Sequence, residues 1–152
     1  MKYLLLVLVA TLLSASEVQI TADKFVANEA KLISTFTGNV HVTKGSDDLK
    51  ADKIVIDFDK EKKPIKYTAT GHAKAHMTLN KKKYFASGNV LIYEPKLARY
   101  TIEKNAFLHE LSTDKKVYGD VIHVDQNKGY YEVGSKKNEP VKFIFKIEDK
   151  KK

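Results

Sequence analysis

Leu49 to Met77, LKADKIVIDFDKEKKPIKYTATGHAKAHM, is the stretch whose reading decides the fold. Ile54, Ile56 and Phe58 alternate with Val55, Asp57 and Asp59, the period of two of a strand with one buried face and one wet face. The charged run Lys60 to Lys63 then turns the chain. Pro64 fixes φ and lacks a ladder donor, so it belongs to the turn or to the first residue of the returning strand. Ile65, Tyr67 and Ala69 resume the alternation, and Gly71 starts a third strand through Ala73, Ala75, Met77 and Leu79.

Working outward, the same unit recurs. Ala51-Asp52-Lys53-Ile54-Val55-Ile56-Asp57 is echoed by Gly119-Asp120-Val121-Ile122-His123-Val124-Asp125, and more loosely by Ala22-Asp23-Lys24-Phe25 and Ala86-Ser87-Gly88-Asn89-Val90. Its other half returns as Gly38-Asn39-Val40, Gly71-His72-Ala73, Gly88-Asn89-Val90 and Asn105-Ala106. A period of roughly 29 to 35 residues of short strands means stacked β-units, because one unit cannot bury its apolar face alone.

Turn signals recur every eight to twelve residues, roughly, and no helical periodicity follows the first residues, which predicts an all-β, antiparallel domain of about twelve strands. Gly38, Gly71 and Gly88 read as strand starts where the ribbon bends from one sheet to the other. The last strand has the cleanest alternation, with Val141, Phe143, Phe145 and Ile147 on one side. Inward candidates are Ile54, Ile56, Phe58, Ile65, Tyr67, Met77, Leu79, Val90, Ile92, Ile122, Val124, Phe143 and Phe145. A closed core and a ligand groove demand the same alternation, so the residues alone leave both open. The first strand (Val18, Ile20, to Val26) and the last (Val141 to Ile147) are the expected edges, available for strand addition or guarded by Lys142 and Lys146.

Met1-Lys2, the apolar run Tyr3 to Leu13 and Ser14-Ala15-Ser16 have the three regions of a secretory signal peptide over residues 1–16. The apolar run is too short to span a bilayer core of about 30 Å as a helix. The domain is expected over residues 17–148, followed by a charged tail at 149–152. The chain has no Cys, so an exported domain relies on its core and not on disulfides. Net charge is +8, or +7 once Lys2 leaves with the leader. Nucleic acid is a poor partner, since the Lys residues sit in turns without interleaved aromatics. Solubility and edge protection explain most of them; an anionic surface such as a phosphorylated glycolipid is the other reading.

Catalytic signatures are missing from the sequence: it has neither a Gly-rich phosphate loop nor a G-x-S-x-G elbow, and no thiol. His72 and His76 on a strand lie about 13 Å apart and cannot share a metal. The recurring Asp23, Asp52 and Asp120 suit backbone-bonding positions better than catalysis. No enzyme, metal or cofactor is expected.

With Gly38-Asn39-Val40 preceding Ala51-Asp52-Lys53-Ile54, and Asn105-Ala106 preceding Gly119-Asp120, the chain resembles the OstA-like family of periplasmic lipopolysaccharide-transport proteins over roughly Val18 to Gly134. It departs where Lys104 replaces the usual Gly and where Ala86-Ser87 lacks the Asp. The resemblance implies an antiparallel β-jellyroll, two sheets stacked along an axis and open at both ends, around an apolar groove for the acyl chains of lipid A. It implies head-to-tail association with itself and with LptC-like and LptD-like β-jellyroll domains at the inner and outer membranes, and no reaction. Moving one acyl chain of about a dozen CH₂ groups into water costs on the order of 10 kcal/mol, so a carrier needs a continuous apolar path. A structural envelope protein making only protein contacts, or an LptC-like subunit that keeps its leader as an anchor, are the competing readings.

Overall fold

The computed structural model describes residues 17–149; the expected leader and the last three residues of the tail lie outside them. The described strands are β1 (Val18–Thr21), β2 (Lys24–Asn28), β3 (Ile33–Lys44), β4 (Asp47–Phe58), β5 (Pro64–Leu79), β6 (Lys82–Glu94), β7 (Arg99–Glu110), β8 (Lys115–Asp125), β9 (Tyr130–Gly134) and β10 (Lys142–Ile144), with a 3-10 turn at Pro95–Leu97. Strands β3 to β8 form an antiparallel meander, each paired with the next. Edge strands β1 and β2 both pair with β3, and β9 and β10 both pair with β8. The count is ten among the described residues where the sequence predicts about twelve. Cutting the chain at Gly38, Gly71 and Asn105 makes two strands out of each of β3, β5 and β7, whereas in the structure the ladder continues on both sides of each cut.

Those cuts are corners. The register shifts at Thr37/Val40 on β3, Lys50/Lys53 on β4, Thr70/Ala73 on β5, Ser87/Val90 on β6 and Glu103/Ala106 on β7, so one line of irregularities crosses the whole sheet. The pairing shows one extra residue on β3, β5 and β7, which take it up with left-handed pairs at Gly38-Asn39, Gly71-His72 and Lys104-Asn105. On β4, β6 and β8 no residue is added, and the inward parity switches instead, from Ala51 to Ile54, from Ala86 to Leu91 and from Ala106's partner Gly119 to Ile122. The single hydrogen-bonded sheet is thereby folded over itself. Residues on one side of the line (33–37, 53–58, 64–70, 90–94, 99–103, 121–125) form a first layer; the other halves of the same strands form a second. The edges are split at the same line, β2 and β9 lying in the first layer, β1 and β10 in the second.

The recurring sequence motif is the lock on this corner. The Asp23 backbone N–H donates to the Gly38 carbonyl at 2.9 Å, and its carboxylate accepts from the Asn39 amide at 3.0 Å. Asp52 repeats the arrangement one strand pair along, 3.1 Å from Nδ1 of His72. Both carboxylates lie over glycine: a Cβ at Gly38 or Gly71 would run into Asp23 or Asp52, and both glycines hold a φ near +80° that side chains resist. In these two copies the A-D half of one motif meets the G-N or G-H half of another across neighbouring strands.

Between the layers runs a core of matched rows. In the first layer Phe36, Ile54, Ala69, Leu91, Ile102 and Ile122 stand opposite one another across six strands. In the second, Val42, Leu49, Ala75, Ala86, Leu108 and Val117 form the corresponding row. Beside the corner most inward residues are small, Ala51, Ala73, Gly88, Ala106 and Gly119, with Val40 opposite Ala51 the larger one.

Candidate functional site

Away from the corner the layers separate around a cavity of ≈ 210 Å³. Tyr67 and Met77, ten residues apart on β5, both line it, although an unbent strand would hold them about 34 Å apart. The first layer contributes Tyr67, Leu91, Tyr93, Tyr100 and Ile102, and the second contributes Val42, Leu49, Ala75 and Met77. Val18 of edge strand β1 is also part of the wall, so the cavity reaches that edge of the sheet. Lys44 and Asp47, opposite each other in the ladder, and Asp48 are its charged members, with His76 beside them.

Three tyrosines form a stack along one wall, with ring centroids 5.9 Å apart for Tyr67 and Tyr93 and 4.6 Å apart for Tyr93 and Tyr100. They are neighbours because each occupies the same inward position on β5, β6 and β7. Burial pushes the Tyr100 phenol well above its usual range, helped by its Tyr93 neighbour and by the Asp47 charge from the opposite layer. Burial, then the neighbouring Tyr93, raises Tyr67 as well. Tyr84 on the second layer is pushed up to about 12 by burial, then by Tyr131 of β9 and the Glu110 charge. Beside it the inward Glu110, 8 % exposed, is met by the Lys82 ammonium at 3.3 Å. These phenols stay neutral at any physiological pH and present apolar rings with a hydroxyl at the edge, a surface suited to an aliphatic ligand with a few polar groups.

Among the inward candidates, Tyr67 and Met77 meet at the cavity, while Ile54, Ile56, Leu79, Ile122 and Val124 are buried in the core around it. Phe58 packs against the core and borders a second cavity of ≈ 180 Å³ with Leu32 and Ile33. Ile65 shares the Tyr67 face at the end of β5. Val90 and Ile92 do not pack against the core. They alternate with the buried Leu91, because the corner at Gly88-Asn89 inverts the parity of β6; Ile92 borders the cavity from that strand. Phe143 registers with the inward Val117, but it and Phe145 stand 53 % exposed at the open edge and away from the cavity. The last ladder covers only Lys142–Ile144, so Val141 and Ile147 flank the edge strand and are not in it. Ile20 packs against the core from β1. Residues missed by local alternation are Leu91, Tyr93, Tyr100 and Ile102; the bend at Gly88-Asn89, taken as a parity switch, would have found the first two.

His72 and His76 engage different carboxylates, Asp52 and Asp48. Among the described residues no group of His, Cys, Asp or Glu has the arrangement of a metal site.

An antiparallel sheet folded along one line, apolar between its layers and unclosed at both edges, defines an open β-jellyroll with an apolar interior. The family described as LptA/(LptD N-terminal domain) LPS transport protein matches residues 19–130, and the chain belongs to it. No curated protein matches the chain. Among solved structures it is similar to LptH of Pseudomonas aeruginosa, described as the LptA-homologous periplasmic component of the lipopolysaccharide transport device. That similarity has a TM-score of 0.75 at 17% identity and covers 87% of this chain and 96% of LptH.

Proposed function

We propose that this LptA-like protein is a periplasmic bridge that carries lipopolysaccharide with the acyl chains of lipid A between its two layers. The observation that carries the reading is the tyrosine-walled apolar cavity, which lies between layers that never close and which reaches the β1 edge at Val18. Export would follow from the expected leader at residues 1–16. The domain acts by binding and handing on; no reaction is assigned to it.

End-to-end assembly belongs to the same reading. The eight ladder positions from β1 to β10 make seven spacings of about 4.8 Å, so one molecule spans only about 34 Å along its axis. Both edges are apolar, with Val18, Phe25 and Val26 exposed at one and Tyr130, Tyr131, Phe143 and Ile144 at the other. Unpaired strand edges of this kind accept a further strand from another copy, or from an LptC-like or LptD-like domain. Titration of the purified protein with lipopolysaccharide tests the groove: Tyr67→Lys, shown to be folded by its β-sheet circular dichroism, should lose binding by tenfold or more. Unchanged binding would place the glycolipid elsewhere and sink the groove.

A further inference from the structure

The outer faces of the two layers differ in how they treat charge. On the first layer opposite signs face one another across strands: Asp57 stands opposite Lys66, and Arg99 stands between Glu94 and Asp125. Glu103, Glu132, Lys24 and Lys53 complete that face, which is close to neutral. Outward positions on the second layer carry Lys50, Lys74, Lys83, Lys116 and Lys142 against Asp48 and, at the corner, Asp52 and Asp120, with Asp114 of the β7–β8 turn 3.9 Å from Lys116, so the face keeps a positive excess. Asp48 is already engaged by His76 at 2.9 Å and His41 at 3.6 Å. Lys50 and Lys74 are directly opposite in the ladder. Like charges so placed lower stability.

Aromatic side chains lie among these lysines. His76, Phe85, Phe107 and Tyr118 form a chain of ring contacts across β5 to β8, and the Lys142 ammonium sits 4.6 Å above the Tyr118 ring. The rings are partly covered by their neighbours and none projects as a wedge. The charges are spread over β4, β5, β6, β8 and β10. A flat spread of ammonium groups with interfacial aromatics fits a two-dimensional anionic surface better than a narrow acidic groove.

We propose that the outer face of the second layer docks a single copy, before it joins an end-to-end bridge, on the surface of an anionic lipid bilayer, with its groove and edges free. The contact is shallow and electrostatic, so it weakens with salt.

Sedimentation with vesicles of phosphatidylglycerol mixed into phosphatidylcholine, at low salt, tests this against phosphatidylcholine alone. Lys74→Glu with Lys83→Glu should weaken binding by at least about 25-fold, at about fivefold for each lysine near the surface. Lys53→Glu with Lys66→Glu makes the same change in net charge on the first layer and should leave binding nearly intact. Lys74→Glu alone should raise the unfolding temperature, since it turns an opposed like pair into an opposite one, while lowering vesicle binding. Equal losses from the two double variants would reduce the effect to net charge and overturn the proposal. Failure to prefer anionic vesicles would also overturn it and point to an acidic protein face as the partner.

Discussion

The corner and the mouth of this folded sheet are built from the same strands and ask opposite things of them. At the corner Ala73 is wholly buried, Gly38 and Gly71 take conformations that other residues resist, and aspartates lock neighbouring strands together. At the mouth Tyr67, Tyr93, Tyr100 and Met77 hold the layers apart around open volume. Stability is concentrated where the layers meet. Capacity for a ligand is concentrated where they do not, between parts of β3 to β7 with Val18 of β1.

Substitutions can break or sharpen that contrast. Ile54→Ala, in the row nearest the corner and 0% exposed, should cost about 3–5 kcal/mol in denaturant unfolding. Gly71→Val should cost about 2–4 kcal/mol, because it forces a β-branched residue to positive φ and drives its Cβ into Asp52. Met77→Ala at the mouth removes a side chain of similar size to Ile54 from a wall that already borders open volume, so its cost should stay near or below about 1.5 kcal/mol. A Met77→Ala loss equal to that of Ile54→Ala would mean that the mouth is as tightly packed as the corner, and the contrast would fail.

The smallest expected effect concerns the far edge. Hydrogen bonds from Lys146, at 2.8 Å, and from His109, at 2.7 Å, lower the Asp114 carboxyl to about 2, tying the segment after β10 to the β7–β8 turn. A depressed carboxyl contributes its stabilisation above its unfolded value of about 4 and loses it as pH falls toward 2. NMR signals of the exposed Phe143 and Phe145 rings should therefore broaden or shift between pH 4 and about 2, and Asp114→Asn should show the low-pH pattern already at pH 5. Signals of Asp114→Asn identical to those of the unmodified protein at pH 5 would contradict the tether.

Much of this was legible in the residues. Alternation at Ile54, Ile56 and Tyr67 placed those side chains inward, and Gly38, Gly71 and Gly88 marked the bends. The motif aspartates read as turn or backbone-bonding groups at strand entries; Asp23 does stand at the entry to β2, whereas Asp52 and Asp120 lie within β4 and β8, and the carboxylates of Asp23 and Asp52 bond side chains, Asn39 and His72, instead of backbone. Alternation failed in two physical ways. A corner inverts parity on strands that add no residue, which moved the inward role from Val90 and Ile92 to Leu91 and Tyr93. At the chain end, Phe143 and Phe145 alternate as well as any core residues, yet alternation tells which side a residue faces and not whether a second layer covers it. The cavity itself depends on how far two layers separate, a distance that no local pattern carries.

The most direct test of the account places a photo-reactive residue in turn at Tyr67, Met77 and Tyr100 between the layers, and at Asp57 and Val90 on the outer face of the first layer, then illuminates the folded protein with lipopolysaccharide. Adducts at the first three and none at the last two are the predicted result. Adducts at Asp57 or Val90 comparable to those at Tyr67, or none between the layers, would contradict a groove formed by folding one sheet over itself.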